Sequence, residues 1–407
     1  MTGRRLLVFT ETALHQRIAG AIVERLSDAT QARVTVLSPA PPPVAGAPDA
    51  LAACDHASAP WTTGPLALHR DAAAALFDAL PAGADLLLFQ DQSAPAQALA
   101  TASRARGGRI WLVQDGFLSF DMARLGPGRR ALWPLARRLE ERAAASAEAR
   151  DAAENGAKNL RARAFARRHV YLNHFFGCTR PDHAFVHGPA IAQRLEDQFG
   201  LPADRITVCG PVEAPPPPAS APRPPRERGR LRVLFFDQCM LRYARITPGG
   251  WRREYLGLVR ALARHAAEPG VSLTIKLHPA QTDAAEAQLR AAAPDAWFLS
   301  GASPVSAAIE RADVVVTVTS TAFLAALGAG LPVVFVRLRA AFDWMPAFAS
   351  PLARTAGSTT ELAGILRTLR DQGVFAGRRR GVALADHIAT PAQPSAALVA
   401  DFLQRLS

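Results

Sequence analysis

Ser272-Leu273-Thr274-Ile275-Lys276-Leu277-His278-Pro279 is a short, mostly apolar run that breaks off at an imidazole and a proline. A run of that length bounded by a breaker reads as a buried strand, and proline fixes the direction in which the chain leaves it. The same unit recurs on both sides. A strand at 231–236 ends at Asp237-Gln238, and one at 314–318 runs into Thr319-Ser320-Thr321. Helical, Ala-rich stretches at 252–267, at 284–293 and from 322 separate them, and another strand follows at 333–336. Strands alternating with helices in this way make a parallel sheet covered on both faces.

Upstream the alternation is already present, with strands at 6–9, 34–37, 86–89, 110–113, 184–186 and 206–208 and a helix at 14–26. A chain of 407 residues exceeds one ordinary core, so two α/β domains are expected. The first spans 1–212, a proline-rich linker 213–229, the second 230–390, and a C-terminal helix within 391–407 packs back against the first half. Two Rossmann-like halves place a cleft between the carboxyl ends of their strands. One segment breaks the pattern: a helical, charged insertion at 121–175 with Arg129-Arg130, Arg137-Arg138 and Arg167-Arg168 among several glutamates. It reads either as a solvated, salt-bridged helix pair or as a basic platform for an anionic acceptor or phospholipid headgroups, with Trp133 as a shallow anchor.

Composition narrows the partners. A formal charge of +12 favours anionic ligands such as nucleotides and acidic glycans. Of 47 basic residues only Lys158 and Lys276 are lysine, so the second stands out at its strand end. Cys54, Cys178, Cys209 and Cys239 form no C-x-x-C pair, which argues against a zinc knuckle or a disulfide framework and suits a reducing cytoplasm. The first apolar run is too short for a signal peptide, and no segment approaches the roughly 20 apolar residues of a membrane span, so any membrane contact is expected to be peripheral.

The chemistry gathers at strand ends. After the strand at 110–113 comes Gln114-Asp115-Gly116, a carboxylate on a glycine turn, suited to act as a general base. His278 and Pro279 close the next candidate strand, with Lys276 just before them, and imidazole can donate to a phosphate or a ribose hydroxyl. Ser320 and Thr321 open a helix, where hydroxyls either cap free amides or hold an anion. Asp237-Gln238, after the first strand of the second half, is a further candidate for contact with a nucleotide. The sequence contains no P-loop, no Gly-x-Gly-x-x-Gly after the first strand, no His-Glu-x-x-His and no Asp-x-Asp after a strand.

At these residues the chain resembles the bacterial CMP-sugar glycosyltransferases of the GT-B fold, sialyltransferases and the related Kdo transferases, which carry an acidic-acidic-Gly motif, then His-Pro and Ser-Ser/Thr. Here Gln114-Asp115-Gly116, His278-Pro279 and Ser320-Thr321 follow that order, with Gln114 departing from the acidic residue expected first. The resemblance implies Asp115 as catalytic base, His278 and Pro279 with Ser320, Thr321, Gln238 and Lys276 around the CMP moiety, and Gln114 and Gly116 shaping the acceptor side. It implies transfer of a nonulosonic acid to a glycan or glycolipid in surface polysaccharide synthesis. It also implies no metal and no cofactor beyond the CMP-sugar donor, a cytoplasmic location with peripheral membrane contact, and no nucleic-acid partner. CDP-glycerol and polyol-phosphate transferases share the Lys-x-His-Pro strand end but use histidine as base where Asp115 stands. A non-catalytic polyanion-binding module and a sugar-nucleotide epimerase are the readings from other classes.

Overall fold

The computed structural model describes residues 5–27, 33–38, 54–58, 66–80, 82–91, 94–115, 179–212, 227, 229–240, 246, 248–279, 281–339, 341, 345, 347–373, 375, 383–389 and 395–405. Gly116, the insertion at 121–175, nearly all of the linker at 213–229 and Cys178 lie outside them. The chain divides into two compact units, Met1–Ala214 with His387–Ser407, and Pro215–Asp386. Among the described residues no helix is long and apolar enough to cross a membrane.

The first unit runs β1 (Arg5–Phe9), α1 (Ala13–Ser27), β2 (Arg33–Ser38), β3 (Asp55–Ser58), α2 (Leu66–Asp78), β4 (Asp85–Leu88), α3 (Ala94–Ala105), β5 (Ile110–Val113), β6 (His183–Val186), α4 (Pro189–Phe199) and β7 (Ile206–Val208). The second runs β8 (Leu231–Phe236), a π turn at Trp251–Tyr255 leading into α5 (Leu256–Ala266), β9 (Val271–Lys276), α6 (Asp283–Ala292), β10 (Trp297–Leu299), α7 (Val305–Glu310), β11 (Val314–Thr317), α8 (Phe323–Gly328), β12 (Val333–Val336), β13 (Ala353–Ala356) and α9 (Thr359–Gln372). Then α10 (Leu384–His387) ends at the boundary, and α11 (Ser395–Arg405) returns the chain to the first unit.

Both sheets are parallel, seven strands in the order β3-β2-β1-β4-β5-β6-β7 and six in the order β10-β9-β8-β11-β12-β13. Strand alternation divides the first unit's apolar residues between two faces. Leu7, Phe9, Leu86, Leu88, Ile110 and Leu112 pack with Phe77, Leu99 and Leu195 from α2, α3 and α4. Leu6, Val8, Leu87, Trp111, Val113 and Phe185 pack with Ile18 and Ile22 of α1 and Val399 of α11. Covering both faces explains why these strands read as continuous apolar runs rather than alternating ones, each buried side chain contributing roughly 1.5–3 kcal/mol. Phe402 of α11 completes the second face by stacking on His183, ring centres 3.9 Å apart.

In each sheet the chain walks outward from its first strand and then returns to that strand's other side. From β1 it goes to β2 and β3 and comes back to β4; from β8 it goes to β9 and β10 and comes back to β11. Crossovers diverge at those two points and leave a crevice beyond the strand ends, the place where open parallel sheets bind ligands.

Candidate functional site

In the first unit the crevice is built by β1, β4 and β5. After β1, Thr12 caps α1 by accepting the His15 amide on its Oγ1 at 3.1 Å. This sets His15 in the first turn, 1% exposed, with its ring 5.3 Å from that of Phe89. Its Nε2 lies 2.8 Å from Oδ2 of Asp115, and its Nδ1 accepts the Glu11 backbone N–H at 3.1 Å. An amide can only donate, so Nδ1 is the acceptor and Nε2 carries the hydrogen pointed at the carboxylate. The Asp115 side chain is 28% exposed against 2% for His15. Gln90, after β4, donates to the Glu11 carboxylate and ties that loop to the next strand end.

Gln114, expected on the acceptor side, is placed differently. It is 1% exposed. Its Oε1 accepts the His187 amide at 2.8 Å, and its backbone carbonyl accepts from His187 Nε2 at 2.9 Å. That amide joins β5 to β6 and leaves Asp115 as the carboxylate at this strand end. A nearby cavity of about 200 Å³, lined by Arg180, Leu195, Leu201 and Arg205, sits beside the N-terminal ends of β6 and β7, away from Asp115.

In the second unit two consecutive side chains after β8 lock the neighbouring strand ends. Asp237, 3% exposed, accepts the Tyr255 hydroxyl on Oδ1 at 2.8 Å, and the His278 amide and Gln281 Nε2 on Oδ2 at 3.2 and 2.7 Å. Tyr255 is aimed by the π turn, where its ring stacks on Trp251 at 4.5 Å. Burial and the adjacent Asp237 hold its hydroxyl well above the ordinary tyrosine range, so it stays a donor. On the other side Gln238 Oε1 accepts the Thr319 amide at 2.7 Å and the Thr319 hydroxyl at 3.2 Å. Its carbonyl end is thereby fixed across the switch point, and its NH2 group is the end turned from Thr319.

The predicted binding residues around this lock occupy different environments. His278 and Thr321 are half-buried and Pro279 is exposed. Ser320 is half-buried, and its Oγ accepts the Ala322 amide at 3.3 Å in the turn that precedes the six-residue α8. Lys276 is 4% exposed and donates to the carbonyls of Leu277 at 3.1 Å and Gly301 at 2.8 Å. Burial lowers its pKa, opposed by the charge of Asp237. The structure thus collects His278 and Pro279 with Ser320, Thr321 and Gln238 at the carboxyl ends of three adjacent strands, and sets the Lys276 ammonium onto the loop after β10. Sequence reasoning missed His15, Glu11, Tyr255 and the clamping role of Asp237, whose partners come from other elements.

No known family pattern matches the sequence, and no curated protein matches it. Solved structures do resemble it. One from Listeria monocytogenes, described as a UDP-N-acetylglucosamine 2-epimerase, has a TM-score of 0.55 at 11% identity, over 99% of this chain and 95% of that one. The UDP-GlcNAc 2-epimerase of Methanocaldococcus jannaschii has a TM-score of 0.51 at 8% identity, over 98% and 99%. A third structure, titled as a UDP-N-acetylglucosamine 2-epimerase, has a TM-score of 0.51 at 11% identity over 92% of each chain. At such identities the likeness concerns the fold alone: an α/β chain of GT-B type, with two Rossmann-like units.

Proposed function

We propose that the protein is a glycosyltransferase that moves a nonulosonic acid, sialic acid or Kdo, from its CMP donor to a hydroxyl of a glycan or glycolipid. The observation that carries this reading is the His15–Asp115 pair, a half-exposed carboxylate oriented by a buried imidazole at a strand end of the first unit. In the proposed reaction Asp115 takes the proton of the acceptor hydroxyl, and that oxygen attacks the anomeric carbon. The bond from that carbon to the phosphate oxygen breaks, and CMP leaves with the electron pair. His278, Ser320, Thr321 and the NH2 group of Gln238 are the donors proposed to hold the leaving phosphate or ribose. Lys276 contributes at one remove in this scheme, by fixing the backbone after β9.

The donor class rests on the order of the motifs and on the placement of His278-Pro279, Gln238 and Ser320-Thr321 after the adjacent strands β9, β8 and β11. A carboxylate rather than histidine after β5 favours this reading over a polyol-phosphate transferase. With CMP-sialic acid and CMP-Kdo as donors, addition of glycan acceptor is expected to release CMP. Asp115→Ala is expected to lower kcat at least about 100-fold with CMP affinity unchanged. Turnover retained in Asp115→Ala sinks the assignment of the base, and acceptor-free epimerisation of UDP-GlcNAc by the native chain replaces the reading with that of an epimerase.

A further inference from the structure

We infer that His15 is the positioning residue of this site, a fixed hydrogen-bond donor that aims Asp115 without itself taking up the acceptor's proton. The inference rests on the reading of Asp115 as base and assigns the division of labour within the pair.

A strand-end carboxylate beside a histidine admits two arrangements: the imidazole removes the proton and the carboxylate orients it, or the reverse. A histidine base needs a ring nitrogen with its lone pair turned toward the acceptor. Here Nδ1 already receives the Glu11 amide, and Nε2 faces Oδ2 of Asp115. The imidazole side chain is 2% exposed, and Asp115 is the member of the pair that reaches solvent. Its other oxygen, Oδ1, takes no hydrogen bond among the described residues and is left for the acceptor hydroxyl.

The ring is also over-determined. The Thr12 cap fixes the first turn of α1, the Glu11 amide fixes the ring's tautomer, and Phe89 packs beside it. Gln90 in turn holds the Glu11 side chain. A donor locked from both the β1–α1 loop and the end of β4 keeps the carboxylate near one orientation, and a misplacement of about 1 Å costs on the order of 100-fold in rate.

Two substitutions separate the alternatives. His15→Phe keeps a ring against Phe89 and removes the donor; His15→Gln places an amide N–H near the position of Nε2 and cannot serve as a base. We expect His15→Phe to lower kcat about 100-fold with the donor KM within about twofold, and His15→Gln to restore kcat to within about fivefold of the native chain. His15→Gln as inactive as His15→Phe, or His15→Phe with native kcat, overturns the inference. The bond is also read without turnover, by 15N–1H correlation of histidine-labelled protein. The His15 signal is expected to be Nε2-protonated and to shift in Asp115→Ala. An Nδ1-protonated ring, or one indifferent to Asp115→Ala, overturns the inference as well. A native signal in a chain that releases no CMP upholds the pairing and rejects the transferase reading alone.

Discussion

At the scale of single residues the first unit keeps an imidazole where none can be charged cheaply. His187 follows β6, is 4% exposed, and gives its Nε2–H to the Gln114 carbonyl. Burial lowers its pKa to about 4, against smaller raising effects from Asp115 and from that hydrogen bond. The sign follows from proton uptake. Above pH 6.5 His187 is neutral folded or unfolded, whereas between pH 6.5 and about 4 the unfolded chain binds the proton and the folded one does not. Stability is therefore expected to fall as pH drops through that window, by up to about 1.4 kcal/mol per pH unit from this residue, or roughly 3 kcal/mol at pH 4. His183, buried against Phe402 with its pKa also lowered to about 4, adds in the same direction. Denaturant melts at several pH values check this, with His187→Gln, which keeps a donor toward Gln114, expected to flatten the slope. An unchanged slope in that variant refutes the assignment.

At the scale of elements, the loop after β10 presses directly on the proposed donor-binding turn. A Cβ on Gly301 would lie 2.7 Å from Pro279 Cα and 2.8 Å from the His278 carbonyl oxygen, inside any normal contact. Lys276 draws the same loop in through the Gly301 carbonyl. Gly301→Ala is thus expected to displace His278 and Pro279, costing about 1–3 kcal/mol in the second unit and weakening CMP binding with them. Native CMP affinity in a folded Gly301→Ala protein contradicts the placement of His278 at the donor.

This contact shows where the sequence stops being readable. The 273–277 strand and its His278-Pro279 exit were visible because both signals are local. The approach of Gly301 was not, being a matter of two backbones meeting. The same contrast separates strands found from strands missed. β8 and β12 were read to the residue, since Leu231 to Phe236 and Val333 to Val336 are buried on both faces. β3 reads Asp-His-Ala-Ser and β13 Ala-Arg-Thr-Ala, with little apolar pattern, and β10 is apolar but only three residues long and incompletely buried; all three lie at sheet edges. His15 escaped notice because it sits inside the 14–26 stretch, read only as a helix between two strands. Tyr255 lies on another element, eighteen positions from Asp237, and only the fold brings them together.

At the scale of the whole molecule, the two parallel sheets were legible from the alternation alone. The chain leaves the first unit after 214 and re-enters at 387, so that unit's core includes Ala396, Val399 and Ala400 from the chain's far end. Each unit sets polar side chains at or beside its switch point, His15 beyond β1 with Asp115 beyond β5, and Gln238 and Thr319 beyond β8 and β11. The central claim concerns what the second of these holds. It is tested most directly by calorimetric titration of the native protein with CMP, CDP, UDP and GDP. The account predicts that CMP binds at least about tenfold more tightly than UDP or GDP, a difference of ~1.4 kcal/mol. Tighter binding of UDP, or no binding of CMP at all, would contradict it.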